Sequence, residues 1–293
     1  MKGRDPKSSK MPARSMKIRT SGPLQRLLRL APAAIAAVGW MAVPATAATF
    51  NSRYDISIAG YKIGESSVNA EVTDTAYTLS GEGKASGLSR IITDARGTAT
   101  ASGRMANRRP VPAKFGYTYK EGDDSSRLDM TIRGSAVTGL TVEPEPEKKD
   151  PEPDRVVLTE AHKRGITDPV SALVWQVKAP ADSGSCDRTV PIFDGEQRYD
   201  VRLSYKRRDR FDGGDKAYQG PVIVCRIDYT PVAGHREGKR EIRELQENSG
   251  MEVWLAPLPD AGSDTVFLVP VDIRIPTRFG LLQIAMDRLS VEP

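Results

Sequence analysis

The chain has 293 residues, with 43 Lys and Arg against 38 Asp and Glu and a formal net charge of +5, a balance that at first indicates a nucleic-acid or anionic-membrane partner. The first 48 residues hold nine of the basic residues and one acid, so the remaining chain carries 34 basic and 37 acidic groups, a net charge of −3. This distribution disfavours nucleic acid as a partner, because phosphate binding needs convergent positive charge. No run reaches the roughly 18 apolar residues that a membrane-spanning helix needs.

A signal peptide is predicted at 1–48. A basic stretch leads into an apolar segment at 30–43, Pro44 breaks it, and small residues follow up to Ala47. This order is typical of a secretory signal, and we predict cleavage after Ala47 or Ala48 and a periplasmic product. An uncleaved membrane anchor is the alternative, which the short apolar segment disfavours. The candidate translation starts are Met1, Met11 and Met16.

The two cysteines of the chain, Cys186 and Cys225, both lie in the part predicted to be exported. In an oxidising compartment two thiols in one domain are expected to pair. A bridge across this loop would stabilise the fold by about 4 kcal/mol on the chain-entropy model. A redox-active pair is the alternative, but such pairs are usually close in sequence, as in Cys-x-x-Cys. We therefore predict a structural disulfide.

The mature chain is predicted to consist of short strands. Apolar and polar residues alternate, as in Tyr54 to Ile58, and turn residues interrupt the pattern about every ten residues. That spacing is typical of an antiparallel meander, because strands joined by short turns pair with their neighbours. The predicted strands cover 54–58, 63–72, 77–81, 91–101, 114–119, 128–133, 136–142, 188–193, 199–205, 221–229, 244–255, 265–275 and 281–291.

One helix is predicted within this β pattern. Asp168 is a good N-cap, Pro169 fits the first turn, and apolar residues follow at helical spacing up to Val177. We therefore expect an all-β fold, an antiparallel meander curled into a closed or nearly closed barrel-like sheet, with one short helix and a preceding signal peptide. An outer-membrane barrel is disfavoured, because the strands lack a lipid-facing apolar band with aromatic girdles.

Three segments are predicted to be irregular. The segment 143–154 contains four prolines and is otherwise charged, so we expect an acidic, solvated loop. The segment 206–219 reads as a polar hairpin loop, and 87–90 as a bulge or a short helical turn. Since the β pattern resumes after the acidic loop, 49–293 is predicted to form a single β-rich periplasmic domain.

Motifs for catalysis or metal binding are not found, and we predict no catalytic, cofactor-binding or metal-binding residues. The segment around Ser89 lacks the closing glycine of a nucleophile elbow. His162 and His235 lie far apart between neighbours that do not bind metals, and the acids at 209–215 lack the spacing of a calcium loop. The candidate ligand contacts are His235, Arg236 and Trp254.

Two basic clusters, 206–208 and 236–243, are interleaved with or followed by acidic residues. We interpret them as solvated faces of the protein. Contact with anionic lipid or lipopolysaccharide headgroups is the alternative in an envelope compartment.

A set of short motifs, in this order and spacing, resembles the bacterial envelope proteins grouped as domain of unknown function 3108, and especially their alphaproteobacterial members. The motifs are 54–64, 168–173, 193–195 with Tyr199, Cys225 with 229–235, and 252–255 with 269–271. The resemblance covers about 50–291. It implies an exported β-rich domain of unassigned activity and carries over no catalytic residue.

Three functions compete at this point. The first is a non-enzymatic envelope protein that supports envelope integrity by holding a lipid, a lipoprotein acyl chain or another amphipathic ligand in a concave apolar interior. The second is a structural or scaffolding β module that binds envelope proteins and has a filled interior. The third, a hydrolase of cell-wall or polysaccharide material, requires His235 to converge with an acid and a Ser in one cleft.

Overall fold

The computed structural model describes residues 48–91, 93–145, 154–260 and 263–292. Apart from Ala48, the predicted signal peptide lies outside these ranges, and so do positions 146–153 of the predicted acidic loop.

The described residues form fourteen strands, one α-helix and four short 3-10 helices. The strands are β1 (Ala48–Ile58), β2 (Tyr61–Val72), β3 (Ala76–Ala85), β4 (Arg96–Ala106), β5 (Arg109–Glu121), β6 (Asp124–Arg133), β7 (Ala136–Glu143), β8 (Gln176–Lys178), β9 (Arg188–Phe193), β10 (Arg198–Asp212), β11 (Gln219–Ala233), β12 (Glu252–Pro259), β13 (Thr265–Thr277) and β14 (Gly280–Glu292). The α-helix is α1 (Arg240–Gln246), and the 3-10 helices are Gly87–Ile91, Glu160–Lys163, Ser171–Leu173 and Ser183–Cys186.

All fourteen strands belong to one antiparallel sheet. Strands β1 to β7 pair in chain order, β9 to β14 do the same, and β1 pairs with β14 to join the two meanders. The short strand β8 pairs with β13 outside this order. The predicted all-β antiparallel meander is therefore confirmed, in the form of two meanders joined by the first and last strands.

The sheet is curled, but its strands do not close it into a barrel. Its two edge strands, β7 and β9, are not paired with each other. The curl nevertheless brings the two ends of the sheet together, because a Cβ added to Gly195, just after β9, would lie 2.1 Å from the Cδ1 atom of Leu128 in β6. An irregular segment lies in the gap, with one isolated bridge from Arg164 to β7 and another from Thr167 to β9.

The inner face of the curled sheet forms the main core. Strand β3 shows the pattern clearly, since Tyr77 and Leu79 are buried while Thr78 and Ser80 are exposed. Inward side chains from β1 to β4 pack with others from β10 to β14 in one cluster. Burying each large apolar side chain stabilises the fold by about 1.5 to 3 kcal/mol relative to leaving it exposed.

The predicted α-helix beginning at Asp168 is not formed. Asp168 does cap a helical turn, because its Oδ1 atom accepts the backbone N–H groups of Val170 and Ser171 at 3.0 and 2.7 Å. The turn is only the 3-10 helix Ser171–Leu173, and the chain then extends into β8. Pairing with β13, through the N–H of Leu268 and the carbonyl of Trp175 at 2.7 Å, outweighs the helical pattern of the sequence.

Two further segments differ from the predictions. The α-helix lies at Arg240–Gln246, where a solvated basic cluster and the start of a strand were predicted. The predicted loop at 206–219 is mostly strand, because β10 continues to Asp212 and β11 starts at Gln219. The predicted bulge or turn at 87–90 is confirmed as the 3-10 helix Gly87–Ile91.

Candidate functional site

Ser, Gly and Ala stand at several inward positions of β2 to β4 on part of the inner face. Two rows of directly paired residues cross β2 to β6 near one end of the sheet. The first row is Ser66, Gly83, Gly97, Tyr119 and Ser126, and the second is Val68, Gly81, Ala99, Tyr117 and Leu128. They continue the faces on which Tyr77, Leu79 and Ala101 are buried, so they point toward the interior. Glycine inside a strand often marks a place where a ligand approaches closely.

Two adjacent cavities lie over these rows. One has a volume of about 600 Å³ and is lined by both rows except Leu128. The other, of about 210 Å³, lies deeper among apolar side chains of β1 to β3, β13 and β14. They share Ser66, Val68 and Leu173 as lining residues. Leu173 and Tyr119 are 42% and 41% exposed, so the larger cavity reaches solvent beside them. Together they form what we call the inner cavity.

A chain segment crosses the inner cavity and forms one of its walls. It runs from the gap between the edge strands to β8, and its 3-10 helix packs against β4 and β5. Its anchor is polar and buried: the Ser171 hydroxyl lies 2.7 Å from the Tyr77 hydroxyl, and Asp168 caps the turn. Burial raises the pKa of both Asp168 and Tyr77. This anchor fixes Leu173 and Trp175 against the cavity.

The residues that line the inner cavity favour an apolar ligand. The 210 Å³ part is lined by aliphatic and aromatic side chains together with Ser52 and Ser66, and no described charged residue lines it. In the 600 Å³ part, Glu82 is the one described charged residue among the lining, which is otherwise small, hydroxyl-bearing or apolar. Such a surface can bury a hydrocarbon chain, and hydroxyl groups near the opening can form hydrogen bonds with the polar end of that ligand.

A larger concavity lies at the same end of β2 to β6, and its lining includes the whole first row of paired residues. It measures about 1150 Å³ and is lined by charged and hydroxyl side chains, including Lys84 and Arg127. Lys84 pairs with Glu65 at 2.9 Å, and Arg127 pairs with Asp129 at 2.6 Å. Acidic and basic residues balance in its lining, so this concavity presents no net charge, and charged groups interrupt its apolar surface. We therefore assign the site to the inner cavity despite its smaller volume.

The predicted disulfide is formed. Cys186, in the 3-10 helix before β9, is bonded to Cys225 in β11, and both cysteines are completely buried. They pack in a second apolar cluster with Val253, Leu255 and Leu268. The bridge ties the start of the second meander to its centre and has no contact with solvent, as befits a structural bond.

The candidate contacts His235 and Arg236 lie on the loop after β11. The carbonyl of His235 accepts the N–H of Val156 at 2.9 Å, and the guanidinium of Arg236 contacts the Asp154 carboxylate at 3.0 Å. Both therefore fasten the returning segment at 154–156 to the sheet. Neither lines the inner cavity, and their role as ligand contacts stays a prediction.

Trp254 lies in β12 within a network of charges. Its indole N–H donates to Glu252 at 3.0 Å, and the guanidinium of Arg274 lies 4.1 Å from its ring centroid. Glu252 also accepts from Arg207, and Arg274 donates to the buried Asp272 at 2.7 Å. Trp254 is buried in this network and is not among the residues that line the inner cavity. Its neighbours there are Glu252, Arg207 and Arg274, whereas His235 and Arg236 contact 154–156, so the structure does not bring the three candidates together.

Sequence reasoning missed the residues that form the inner cavity. The available signal was the run of Gly and Ala at alternate positions of β3 and β4, namely Gly81, Gly83, Gly97 and Ala99. Their meaning depends on cross-strand register, which the sequence does not display. In the described ranges, no group of three or more His, Cys, Asp or Glu is placed to hold a metal, and the helices described there include none that could cross a membrane.

Comparisons with known proteins identify the family of this chain but do not assign it an activity. One solved structure, titled as the crystal structure of a beta-barrel-like protein of domain of unknown function DUF1849 from Brucella abortus, is 10% identical, covers 83% of this chain and 98% of its own, and has a TM-score of 0.45. No curated protein matches the chain. The family model described as protein of unknown function (DUF3108) matches residues 53–287. The chain therefore belongs to the DUF3108 family, as the sequence motifs predicted.

Proposed function

We propose that this protein is an exported, non-enzymatic envelope protein that holds a lipid or another amphipathic molecule in the inner cavity. The observation that carries the proposal is the apolar cavity formed over the small inward residues of β2 to β4, with Leu173 and Tyr119 at its opening. Pockets of about 300 to 1,000 Å³ with mostly apolar linings are typical of small-ligand sites.

The energetics of the fold support a ligand in this space. Empty apolar volume is unfavourable, because the lining atoms lose dispersion contacts that a filled core would provide. Gly83 adds to this cost, since glycine in a strand interior is destabilising by about 0.5 to 1 kcal/mol relative to alanine. A Cβ at Gly83 would lie 4.0 Å from the nearest atom, the backbone carbonyl oxygen of Glu65, so the space could hold a larger residue. A hydrocarbon chain would recover these lost contacts.

The substitution Gly83→Leu tests the proposal. The isobutyl group would enter the 600 Å³ part of the cavity without a backbone clash, so we expect unchanged or higher thermal stability and at least about tenfold weaker binding. Binding is measured by the fluorescence of a dansylated fatty acid added to delipidated protein.

Gly139→Leu is the matched control. Gly139 lies on the edge strand β7, away from the cavity, and a Cβ there would find ordinary contacts at 3.7 Å. We expect this variant to bind like the wild type. The proposal fails if the wild type takes up no probe at micromolar concentrations, or if Gly83→Leu binds as tightly as Gly139→Leu. A probe-free interior would favour the scaffolding module instead.

The export step of the proposal rests on the signal pattern at 1–48. Expression of the full chain in a Gram-negative host, followed by N-terminal sequencing of the protein in the periplasmic fraction, tests it. We expect a mature start at Ala48 or Thr49. Uncleaved protein in the cytoplasmic or membrane fraction would contradict it.

A further inference from the structure

Two hairpin turns at one end of the sheet expose large apolar side chains. Tyr61, at the turn between β1 and β2, is 64% exposed, and Phe279, at the turn between β13 and β14, is 67% exposed. Leu281, next to the second turn, is also exposed. Folding normally hides such side chains, so several together on neighbouring turns indicate a surface that is covered by something else.

The pairing of the first and last strands places these turns side by side. The N–H of Ala59 donates to the carbonyl of Leu281 at 2.9 Å, so the two turns touch through their backbones. A third segment, the 3-10 helix Gly87–Ile91, packs on the other side of the first turn, where the N–H of Ser86 donates to Ile63 at 3.1 Å. We call these three segments, 59–63, 86–91 and 276–281, the tip surface.

The tip surface carries positive charge and no acid of its own. Its charged residues are Lys62, Arg90 and Arg278. Lys62 is paired with Asp55 at 2.6 Å and with Glu65 at 3.3 Å. The guanidinium of Arg278 lies over the Phe279 ring at 4.6 Å and 3.7 Å from the Glu244 carboxylate. Among the described residues, Arg90 is the exposed cation of the tip surface that has no ion pair, and it supplies the charge that an anionic headgroup would meet.

The tip surface and the inner cavity lie toward the same end of the sheet. Gly97 is the second residue of β4, and Tyr119 lies near the end of β5. The strand ends that carry Gly97 and Tyr119 lie at the same end of the sheet as the turn between β1 and β2, because β2 to β5 pair antiparallel in sequence order. A chain drawn out of a bilayer at the tip surface would therefore meet the cavity end of the sheet.

We propose that the tip surface docks onto a phospholipid bilayer that contains anionic headgroups. Aromatic side chains with an apolar body favour the boundary between headgroups and hydrocarbon. Arginine and lysine beside them are attracted to anionic lipid, by about 1 kcal/mol for each basic residue near the surface. Hairpin turns can insert aromatic side chains without unfolding the sheet. The proposal that the tip surface docks is based on the exposed turns. The proposal that docking delivers a lipid to the inner cavity rests on the proposed function.

Vesicle co-sedimentation of the mature protein tests the docking. Vesicles of phosphatidylcholine are compared with vesicles of phosphatidylcholine and phosphatidylglycerol, at low and high salt. We expect the wild type to pellet with the anionic vesicles, and the double variant Tyr61→Ser, Phe279→Ser to bind at least about tenfold more weakly. Arg90→Glu should weaken binding to the anionic vesicles alone. Tyr205→Ser removes an aromatic of β10 that is also exposed, and it should bind like the wild type.

The inference is overturned if the wild type stays in the supernatant with anionic vesicles, or if the double variant pellets as well as Tyr205→Ser. Equal melting temperatures of the variants exclude misfolding as the cause of a loss. Uptake of the dansylated fatty acid without vesicles is measured on the same samples. If docking fails while this uptake persists, only the proposal that the tip surface docks is refuted. If uptake is lost while docking is intact, only the proposed function is refuted.

Discussion

Glu252 is the residue whose ionisation matters most to the network around Trp254. Its side chain is only 11% exposed, and its carboxylate accepts two hydrogen bonds from Arg207, at 3.1 and 3.2 Å, and one from the Trp254 indole at 3.0 Å. Burial raises the pKa of Glu252, but the hydrogen bonds from Arg207, Lys206 and Trp254 outweigh burial and lower the pKa to about 2. The isosteric, neutral substitution Glu252→Gln removes this charge.

The expected loss follows from the pKa. Lowering a carboxyl pKa from 4.5 to about 2 corresponds to about 3 kcal/mol of folding free energy. Arg207 and Lys206 are each more than a third exposed, and solvent screening reduces this, so we expect Glu252→Gln to lose about 1.5 to 2 kcal/mol at pH 7. Because the folded pKa lies below the unfolded value, the contribution is complete above pH 4.5 and disappears as the pH falls toward 2.

Urea unfolding followed by far-UV circular dichroism, at pH 7 and at pH 3, measures the difference. The loss in Glu252→Gln should be less than half as large at pH 3 as at pH 7. Asp209→Asn is the control, because Asp209 also contacts Arg207, at 3.0 Å, but lies at the surface, and little change is expected. An equal loss at both pH values, or none at pH 7, would refute the electrostatic reasoning.

Two other predictions concern the frame that holds the cavity. Replacing Cys186 and Cys225 together by alanine opens a bridge that spans 39 positions, and the chain-entropy model predicts a loss of about 4 kcal/mol in urea unfolding, with probe binding retained below the transition. An unchanged midpoint would count against this. Gly195→Ala places a Cβ 2.1 Å from the buried Leu128 at a φ of +107°, so we expect a loss of about 2 kcal/mol or more, and a melting temperature equal to that of the wild type would contradict the close approach of the sheet's ends.

Local patterns predicted most of the strands correctly. Alternation along β3, where Tyr77 and Leu79 are buried between exposed neighbours, is visible in the sequence because the period of a strand is two. The Cys186–Cys225 bond followed from the small number of cysteines and the expected compartment. These inferences needed only neighbouring residues or a count.

Contacts that are distant in sequence decided the features that sequence reasoning missed. Asp168 was correctly read as a cap, but the residues after it form β8, because β13 offers them a strand partner. The helix α1 was missed because its exposed face is as polar as a loop, and none of its residues is buried. After Asp168, the local helical pattern was weaker than the strand pairing that β13 offers. At α1, the local sequence did not indicate a helix.

The inner cavity depends on register, which explains why it was not foreseen. Gly83 faces Gly97 across one ladder, and Gly97 faces Tyr119 across the next. A shift of one residue in either ladder would send these side chains to the outer face. The tip surface has the same origin, because the turns that carry Tyr61 and Phe279 become neighbours only when β1 pairs with β14.

The most direct test of the inner cavity uses the tryptophans as position markers. Beyond the predicted signal the chain contains two, Trp175, which lines the cavity, and Trp254, which does not. A brominated fatty acid quenches tryptophan fluorescence only at short range. We predict saturable quenching in Trp254→Phe, where Trp175 is the remaining fluorophore, and little quenching in Trp175→Phe. Absence of quenching in Trp254→Phe, or stronger quenching of Trp254 than of Trp175, would contradict a ligand site in the inner cavity.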